Sequence, residues 1–276
     1  MQDTIAKLNQ YQIRSILIEF KAVQTGKPSK SFSNEIQSLV FKWLSFGDEE
    51  LAQKVLKANI SPLIVSTLIG NSHQGKIKQG DRFFLRINIL ENELIKPLLK
   101  GIESQKNQLT ILAGFLFTIA KTYIRNNSHK LSKSTDYYSL ALYPPAVDNI
   151  ILKFLSPTSF QQKNQIHHFP LPELVFNCLF KKWNHFAPKE LHFSRQKWNG
   201  SISAYDLRTR ILTLEDKQEM GCQGWIKYSF PNKEQIRIAS ILGNFAFYAG
   251  VGHKTSMGMG QCQLLFENKQ LVENQR

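Results

Sequence analysis

The chain has 276 residues, with 35 lysines and arginines against 21 aspartates and glutamates, giving a formal net charge of +14. This length accommodates one large domain or two small ones, and a hydrophobic fraction of 42% excludes a disordered chain. So large a positive charge indicates a polyanionic partner, either nucleic acid or an anionic membrane surface. The basic residues are spread along the chain instead of being gathered on one amphipathic helix, which disfavours membrane binding.

The sequence lacks three features that bear on the compartment and the metal content of the protein. The first ten residues, MQDTIAKLNQ, lack the basic and then apolar pattern of a signal peptide, and no apolar run approaches the roughly 20 residues of a membrane span. Cys178, Cys222 and Cys262 are scattered and odd in number, and no cysteine or histidine pair has metal-ligand spacing. We therefore expect a cytoplasmic protein with buried thiols, no metal and no cofactor.

The first part of the chain predicts a strand, a helix, a short second helix, two strands, a helix and a last strand. In that order the predicted elements cover residues 11–22, 31–46, 48–57, 61–70, 82–90, 91–104 and 108–124. Alternating apolar residues favour the strands, and helical spacing favours the helices. We expect the third helix to be interrupted near Pro97. This order is that of the ferredoxin-like split βαβ unit.

The second part repeats the plan after a polar stretch. Residues 131–148 end near Pro144-Pro145 and are the best linker candidate. A basic segment, 196–212, is expected to be a loop that leads into strands. The predicted elements of this part are a strand (149–157), a helix (172–186), two strands (211–215 and 224–230), a helix (233–250) and a last strand (261–266). The sequence therefore predicts an α+β protein of two tandem ferredoxin-like domains, at 1–130 and 149–276.

A glycine-rich segment, AGVGHKTSMGMG, lies between the last predicted helix and the last predicted strand. Gly250 and Gly252 precede, and Gly258 and Gly260 follow, a stretch that contains Lys254-Thr255-Ser256. Glycine allows positive φ and close approach of a backbone to a ligand, and free N–H groups in such a loop can cradle a phosphate. The alternative is a plain helix-to-strand connection.

The segment FAFYAGVGHKTSMGMGQ closely resembles the C-terminal glycine-rich signature of the CRISPR-associated repeat-processing endoribonucleases, the Cas-six family of the RAMP superfamily. ILKFLSPTSF, FPLPELVFNCLFKKWNHF and GCQGWIKYSF are similar to other parts of that family's second domain, whereas the N-terminal half matches more weakly. The resemblance implies two RAMP-type (RRM-like) ferredoxin domains. It also implies binding of CRISPR repeat RNA, and metal-independent cleavage that leaves a 2′,3′-cyclic phosphate.

The resemblance implies that the glycine loop and a basic stretch contact RNA. The expected RNA-binding residues are Gly250, Gly252, His253, Lys254, Thr255, Ser256, Gly258, Gly260, Arg195, Lys197, Arg208 and Arg210. Trp198 and Tyr205 are candidates for stacking on unpaired bases, as is Trp225, for which a core position is the stronger expectation. A solvated loop is the alternative for the basic stretch.

The catalytic residues depart from the family pattern. Many relatives carry a histidine on the first helix, where this chain has Gln37, or at the end of the short second helix, where it has Leu56 or Lys57. Cleavage by the RNA's own 2′-hydroxyl needs a base, an acid and positive charge. The candidates are Lys57, Lys30 in the loop before the first helix, and His73 after the second strand.

Three rival functions stay open at this point. The first is a catalytically silent relative that binds repeat RNA within a CRISPR effector complex. The second is a general RNA-binding protein of the ribosome or of RNA modification. The third is a nucleotide-binding enzyme, which the absence of Gly-x-Gly-x-x-Gly and Walker motifs disfavours. A monomer and a homodimer are both compatible with the sequence.

Overall fold

The computed structural model describes residues 10–28, 32–70, 76–214 and 217–266. It divides into two compact units, and neither is contiguous in sequence. Unit 1 comprises Met1–Ser139, Leu212–Glu219 and Lys254–Met259, and unit 2 comprises Leu140–Ile211, Met220–His253 and Gly260–Arg276. The first break, between Ser139 and Leu140, falls within the predicted linker 131–148, and two later segments group with unit 1.

Unit 1 is built on one antiparallel sheet and three helices. Its elements are β1 (Gln12–Ala22), α1 (Ser33–Gly47), α2 (Glu49–Leu56), β2 (Leu63–Val65), β3 (Arg82–Ile89), α3 (Ile95–Gln105), β4 (Thr110–Leu112), β5 (Phe115–Tyr123) and β6 (Lys133–Asp136). The strand order is β2-β3-β1-β5-β4, and β6 also pairs with β1. With β5 as the fourth strand, this is the ferredoxin-like arrangement predicted from the sequence.

The core of unit 1 lies between the sheet and the helices. Alternate residues of β1, including Ile16, Ile18 and Phe20, face this core and pack against the α1 residues Val40 and Trp43, all of them fully or almost fully buried. The other face of the sheet carries the intervening residues, because successive side chains of a strand point to opposite sides. Residues of this second face, such as Leu17 and Asn88, are buried as well.

Three local predictions in this part need correction. Pro97 does not interrupt the helix, because it lies in the first turn of α3, where a missing N–H costs nothing. The predicted strand 108–124 is a hairpin, β4 and β5, that turns at Ala113 and Gly114, both with positive φ. The predicted linker 131–148 contains β6, which pairs with β1, and helix α4 (Tyr137–Leu142).

Unit 2 has the same plan. Its elements are β7 (Ile150–Thr158), β8 (Phe160–Gln162), β9 (Gln165–His167), α5 (Pro172–Phe186), β10 (Ser201–Leu214), β11 (Lys217–Ser229), α6 (Lys233–Ala249) and β12 (Cys262–Leu265). Its main sheet has the order β10-β11-β7-β12, again the ferredoxin-like arrangement, and β8 pairs with β9. The basic segment predicted as a loop is largely β10, because that strand begins already at residue 201. The fold class, two tandem ferredoxin-like domains, is confirmed.

Candidate nucleic-acid interface

The glycine loop, residues 250–260, begins where α6 ends. Gly250 has φ 59° and ψ 167°, and its N–H donates to the carbonyl of Ala246 at 3.0 Å. The N–H of Val251 donates to the carbonyl of Gly260 at 2.8 Å, and the N–H of Gly260 donates to the carbonyl of Pro157 at 3.0 Å. The two ends of the loop are therefore joined to each other and fastened to the end of β7.

Two backbone segments approach each other so closely at position 252 that only a glycine fits. Its φ is +87°, and a Cβ at this position would lie 2.2 Å from the carbonyl oxygen of Ser159. The same carbonyl accepts a hydrogen bond from the N–H of His253 at 2.8 Å. The N–H of Gly252 donates to the Sγ of Cys178 at 3.2 Å. Any side chain here would push the loop off its anchor.

A buried lysine holds the junction between α6 and the loop. Lys182 lies one turn after Cys178 on α5, and its Nζ donates to the carbonyl of Ala249 at 2.7 Å and to that of Gly250 at 3.3 Å. A cation at a helix C-terminus is favoured by the helix dipole. Burial lowers the pKa of the Lys182 ammonium, and the nearby Cys178 thiol has the opposite, smaller effect on that pKa. The lysine thus satisfies the last carbonyls of α6 at a desolvation cost.

The tip of the loop packs within unit 1. Residues Thr255–Met257 form a 3-10 turn, and the Nε2 of Gln37 on α1 donates to the Oγ of Ser256 at 3.2 Å. Gly258 has φ +100° and pairs with Ser66, and a Cβ there would lie 2.6 Å from the Cγ2 of Thr67. The loop tip is therefore fixed against the first helix and the end of β2. This hydrogen bond joins the loop to Gln37 on the first helix.

Lys254 presents the positive charge of the loop. It adopts a left-handed backbone conformation at φ 53°, and its Nζ forms an ion pair with the Oε1 of Glu219 on β11. The two side chains are 25% and 18% exposed, respectively. An ion pair that is partly shielded from water holds the ammonium in one position while leaving part of it accessible to an anion.

Three of the four glycine amides of the loop are not free to cradle a phosphate. The amides of Gly250, Gly252 and Gly260 all donate to protein acceptors. These three glycines therefore serve close packing and positive φ.

The structure places the predicted catalytic residues as follows. Lys57 is exposed at the C-terminal end of α2, and its side chain makes no hydrogen bond or ion pair with the described residues. Lys30 and His73 lie outside the described residues. Sequence reasoning missed Lys182 and Glu219. Lys182 had a signal, because it occupies a position of the apolar α5 stripe, whereas nothing in the sequence pointed to Glu219.

The predicted basic stretch is exposed. Arg195 and Lys197 lie in an irregular segment, and Arg208 and Arg210 lie two residues apart on β10, so the two arginines point to the same side of that strand. The ring of Trp198 is not accessible for stacking on an RNA base. It is 7% exposed and packs against aromatic neighbours of unit 2, and its indole N–H donates to an asparagine side chain.

Tyr205 is 57% exposed, so its ring is accessible to an unpaired base, and Trp225 is half-buried. No group of three or more histidines, cysteines, aspartates or glutamates among the described residues is arranged to hold a metal ion. In the same part of the chain, no helix is both long and apolar enough to cross a membrane.

Comparison with known proteins agrees with the resemblance seen in the sequence. A family model described as CRISPR-associated endoribonuclease Cas6 matches residues 152–262. The chain resembles Cas6 endoribonucleases. A CRISPR-associated endoribonuclease Cas6 of Streptococcus thermophilus is 23% identical over 117 residues, which are 40% of this chain and 48% of that protein. The chain thus spans about half the length of this curated relative.

Solved structures extend the similarity to nearly the whole fold. The product complex of a Cas6 protein of Thermus thermophilus aligns with 92% of this chain and 100% of its own, at a TM-score of 0.78 and 22% identity. A Cas6-related protein of Pyrococcus furiosus aligns with 93% of this chain and 100% of its own, at a TM-score of 0.63 and 16% identity. At these identities the structures show a shared fold.

Proposed function

We propose that this protein is a metal-independent endoribonuclease that binds CRISPR repeat RNA and cuts it by attack of the RNA's own 2′-hydroxyl. The observation that carries the proposal is the match of the Cas6 family model to residues 152–262, a range that includes the whole glycine loop. The net charge of +14 supports it, because such a charge neutralises many phosphates.

The chemistry is a transfer within the RNA backbone. The 2′-oxygen attacks the adjacent phosphorus, a base takes the 2′-proton, and the bond from phosphorus to the 5′-oxygen breaks as that oxygen gains a proton. The products are a 2′,3′-cyclic phosphate and a free 5′-hydroxyl. Negative charge on the phosphate oxygens in the transition state is stabilised by positioned cations. In our proposal Lys254, held by Glu219, supplies such a cation.

The proton transfers need a group other than Gln37. Gln37, at the usual histidine position, carries an amide that neither gains nor loses a proton near neutral pH. Lys57 lies at the end of α2. By the resemblance, Leu56 or Lys57 stands at the second position where relatives carry the histidine. We propose that Lys57 contributes charge or a proton to the reaction, with Lys30 and His73 as further candidates.

A second function is favoured by one observation. The side chain that joins α1 to the glycine loop is the amide of Gln37, donating to Ser256, and no ionisable group stands in its place. A protein that only holds repeat RNA within a CRISPR effector complex has no need of an ionisable group there. The alternative proposal is therefore a catalytically silent repeat-binding subunit.

The two proposals are separated by incubating labelled repeat RNA with the protein in EDTA. The nuclease proposal expects one defined product with a cyclic phosphate end. The variant Gln37→His is the informative companion, because a positioned histidine typically contributes about 10²–10⁴-fold to such a reaction. Cleavage by the parent protein supports the nuclease. Binding without cleavage by the parent, and cleavage by Gln37→His, supports the silent binder.

A further inference from the structure

The second face of the unit 1 sheet carries a candidate site. This face lies opposite the core that α1 and α3 cover, and its residues on β1, β3 and β5 include Glu19, Arg82, Phe84 and Tyr123. Beside them is a cavity of about 590 Å³. Small-molecule sites typically occupy about 300–1,000 Å³, so this cavity has room for one nucleotide. Its lining residues are Ile69, Gly70, Asp81, Arg82, Phe84, His129, Lys130 and Leu131.

A buried carboxylate organises the polar part of this face. Glu19 is 2% exposed, and its Oε1 accepts from the Nη1 of Arg82 at 2.7 Å while its Oε2 accepts from the hydroxyl of Tyr123 at 2.8 Å. The Arg82 side chain is 69% exposed despite this anchor. One guanidinium nitrogen is thus fixed, while most of the side chain stays exposed and has further N–H groups that can donate to a ligand.

Aromatic rings form the apolar part. The rings of Phe84 and His129 are stacked, with centroids 5.5 Å apart and an interplanar angle of 24°, and Tyr123 packs against both. The backbone N–H of Leu131 donates to the Nδ1 of His129 at 3.1 Å, which fixes the imidazole ring. Burial, followed by the charge of Lys130, lowers the pKa of His129 and keeps its ring neutral near pH 7.

We infer that this cavity binds one unpaired nucleotide of an RNA, with the base stacked on the His129 and Phe84 rings and Arg82 contacting its phosphate or base edge. Sequence-tolerant recognition of single-stranded RNA combines aromatic platforms with nearby cations. The cavity has both, since Arg82 and Lys130 are exposed at its rim. The inference rests on the proposed RNA-binding function, but it concerns a site separate from the glycine loop.

The test uses the full-length protein and a fluorescent ten-nucleotide oligouridylate, which needs neither a repeat sequence nor cleavage. His129→Ala should weaken binding by about fivefold or more, the loss expected from removing one base–aromatic stack. His129→Phe loses the Nδ1 acceptor, as His129→Ala does, but it keeps an aromatic ring. It should therefore bind the oligouridylate nearly as tightly as the parent protein. Lys100→Ala, which removes an exposed charge from α3 on the helical side of the sheet, is the control and should change little.

One further variant and a crosslink complete the test. Arg82→Gln removes the charge but keeps an amide that can donate to Glu19, and it should also weaken binding and reduce the salt dependence by about 0.7 in slope. An oligonucleotide with 5-iodouridine should crosslink to the peptide that contains Phe84 or His129. Equal binding by His129→Ala and the parent, equal weakening by His129→Ala and His129→Phe, or crosslinks only elsewhere would overturn the inference. Because cleavage is not read out, these results do not depend on whether the protein is a nuclease.

Discussion

Gly258→Ala should destabilise the protein through one identifiable contact. The left-handed backbone at φ +100° costs a residue with a Cβ about 1–2 kcal/mol. The added Cβ would also lie 2.6 Å from the Cγ2 of Thr67, where carbon atoms normally stay about 3.5–4.0 Å apart. Overpacking of this kind costs about 1–3 kcal/mol, because a β-branched threonine has little freedom to move. The total expected loss is about 2–5 kcal/mol.

The background variant Thr67→Ser isolates the steric part. It removes the methyl group that the new Cβ would meet and keeps the hydroxyl. In that background Gly258→Ala should cost less, about 1–2 kcal/mol for the backbone conformation plus a remainder from the Thr67 backbone nitrogen, which would lie 3.2 Å from the new Cβ. The four proteins form a double-mutant cycle, measured by urea unfolding followed by circular dichroism. An equal cost in both backgrounds would refute the reasoning that packing against Thr67 dictates the glycine.

Three further predictions concern charge. Burial lowers the pKa of Lys182, so between that lowered value and the ordinary 10.5 the unfolded chain holds a proton that the folded chain lacks. Stability should therefore rise with pH in this window, and Lys182→Met should remove the rise in urea midpoints. Repeat-RNA affinity should fall with salt, with a log–log slope near −0.7 per phosphate contacted in single strands, and a flat response would contradict the charge argument. Lys57→Ala should lower the cleavage rate more than the affinity in single-turnover assays, and an equal loss of both would assign Lys57 to binding.

The sequence predicted the fold well because its patterns are local. Alternation in β1 and helical spacing in α1 each report a buried face, and the order of such elements restricts the topology to the ferredoxin-like plan. The hairpin turn at Ala113 and Gly114 was missed although Gly114 is a turn residue, because the alanine before it seldom adopts positive φ.

The candidate site was less accessible to prediction, because its contacts are long-range. The glycine motif located the loop, but the reasons for its glycines are the carbonyl of Ser159 and the methyl of Thr67, which lie far away in sequence. Glu219 and Gln37 meet the loop only through tertiary structure. Lys182 could have been singled out as a lysine on an apolar stripe, but its partners, the last carbonyls of α6, are visible only in the fold.

The central claim is cleavage by internal attack of the 2′-hydroxyl. The most direct measurement compares two repeat RNAs in EDTA, one unmodified and one with a single 2′-deoxy nucleotide at the mapped cut position. The account predicts that the protein binds both equally but cuts only the unmodified RNA, leaving a 2′,3′-cyclic phosphate. Normal cleavage of the deoxy RNA would contradict the mechanism, and tight binding without cleavage of either RNA would leave the silent repeat-binding subunit in its place.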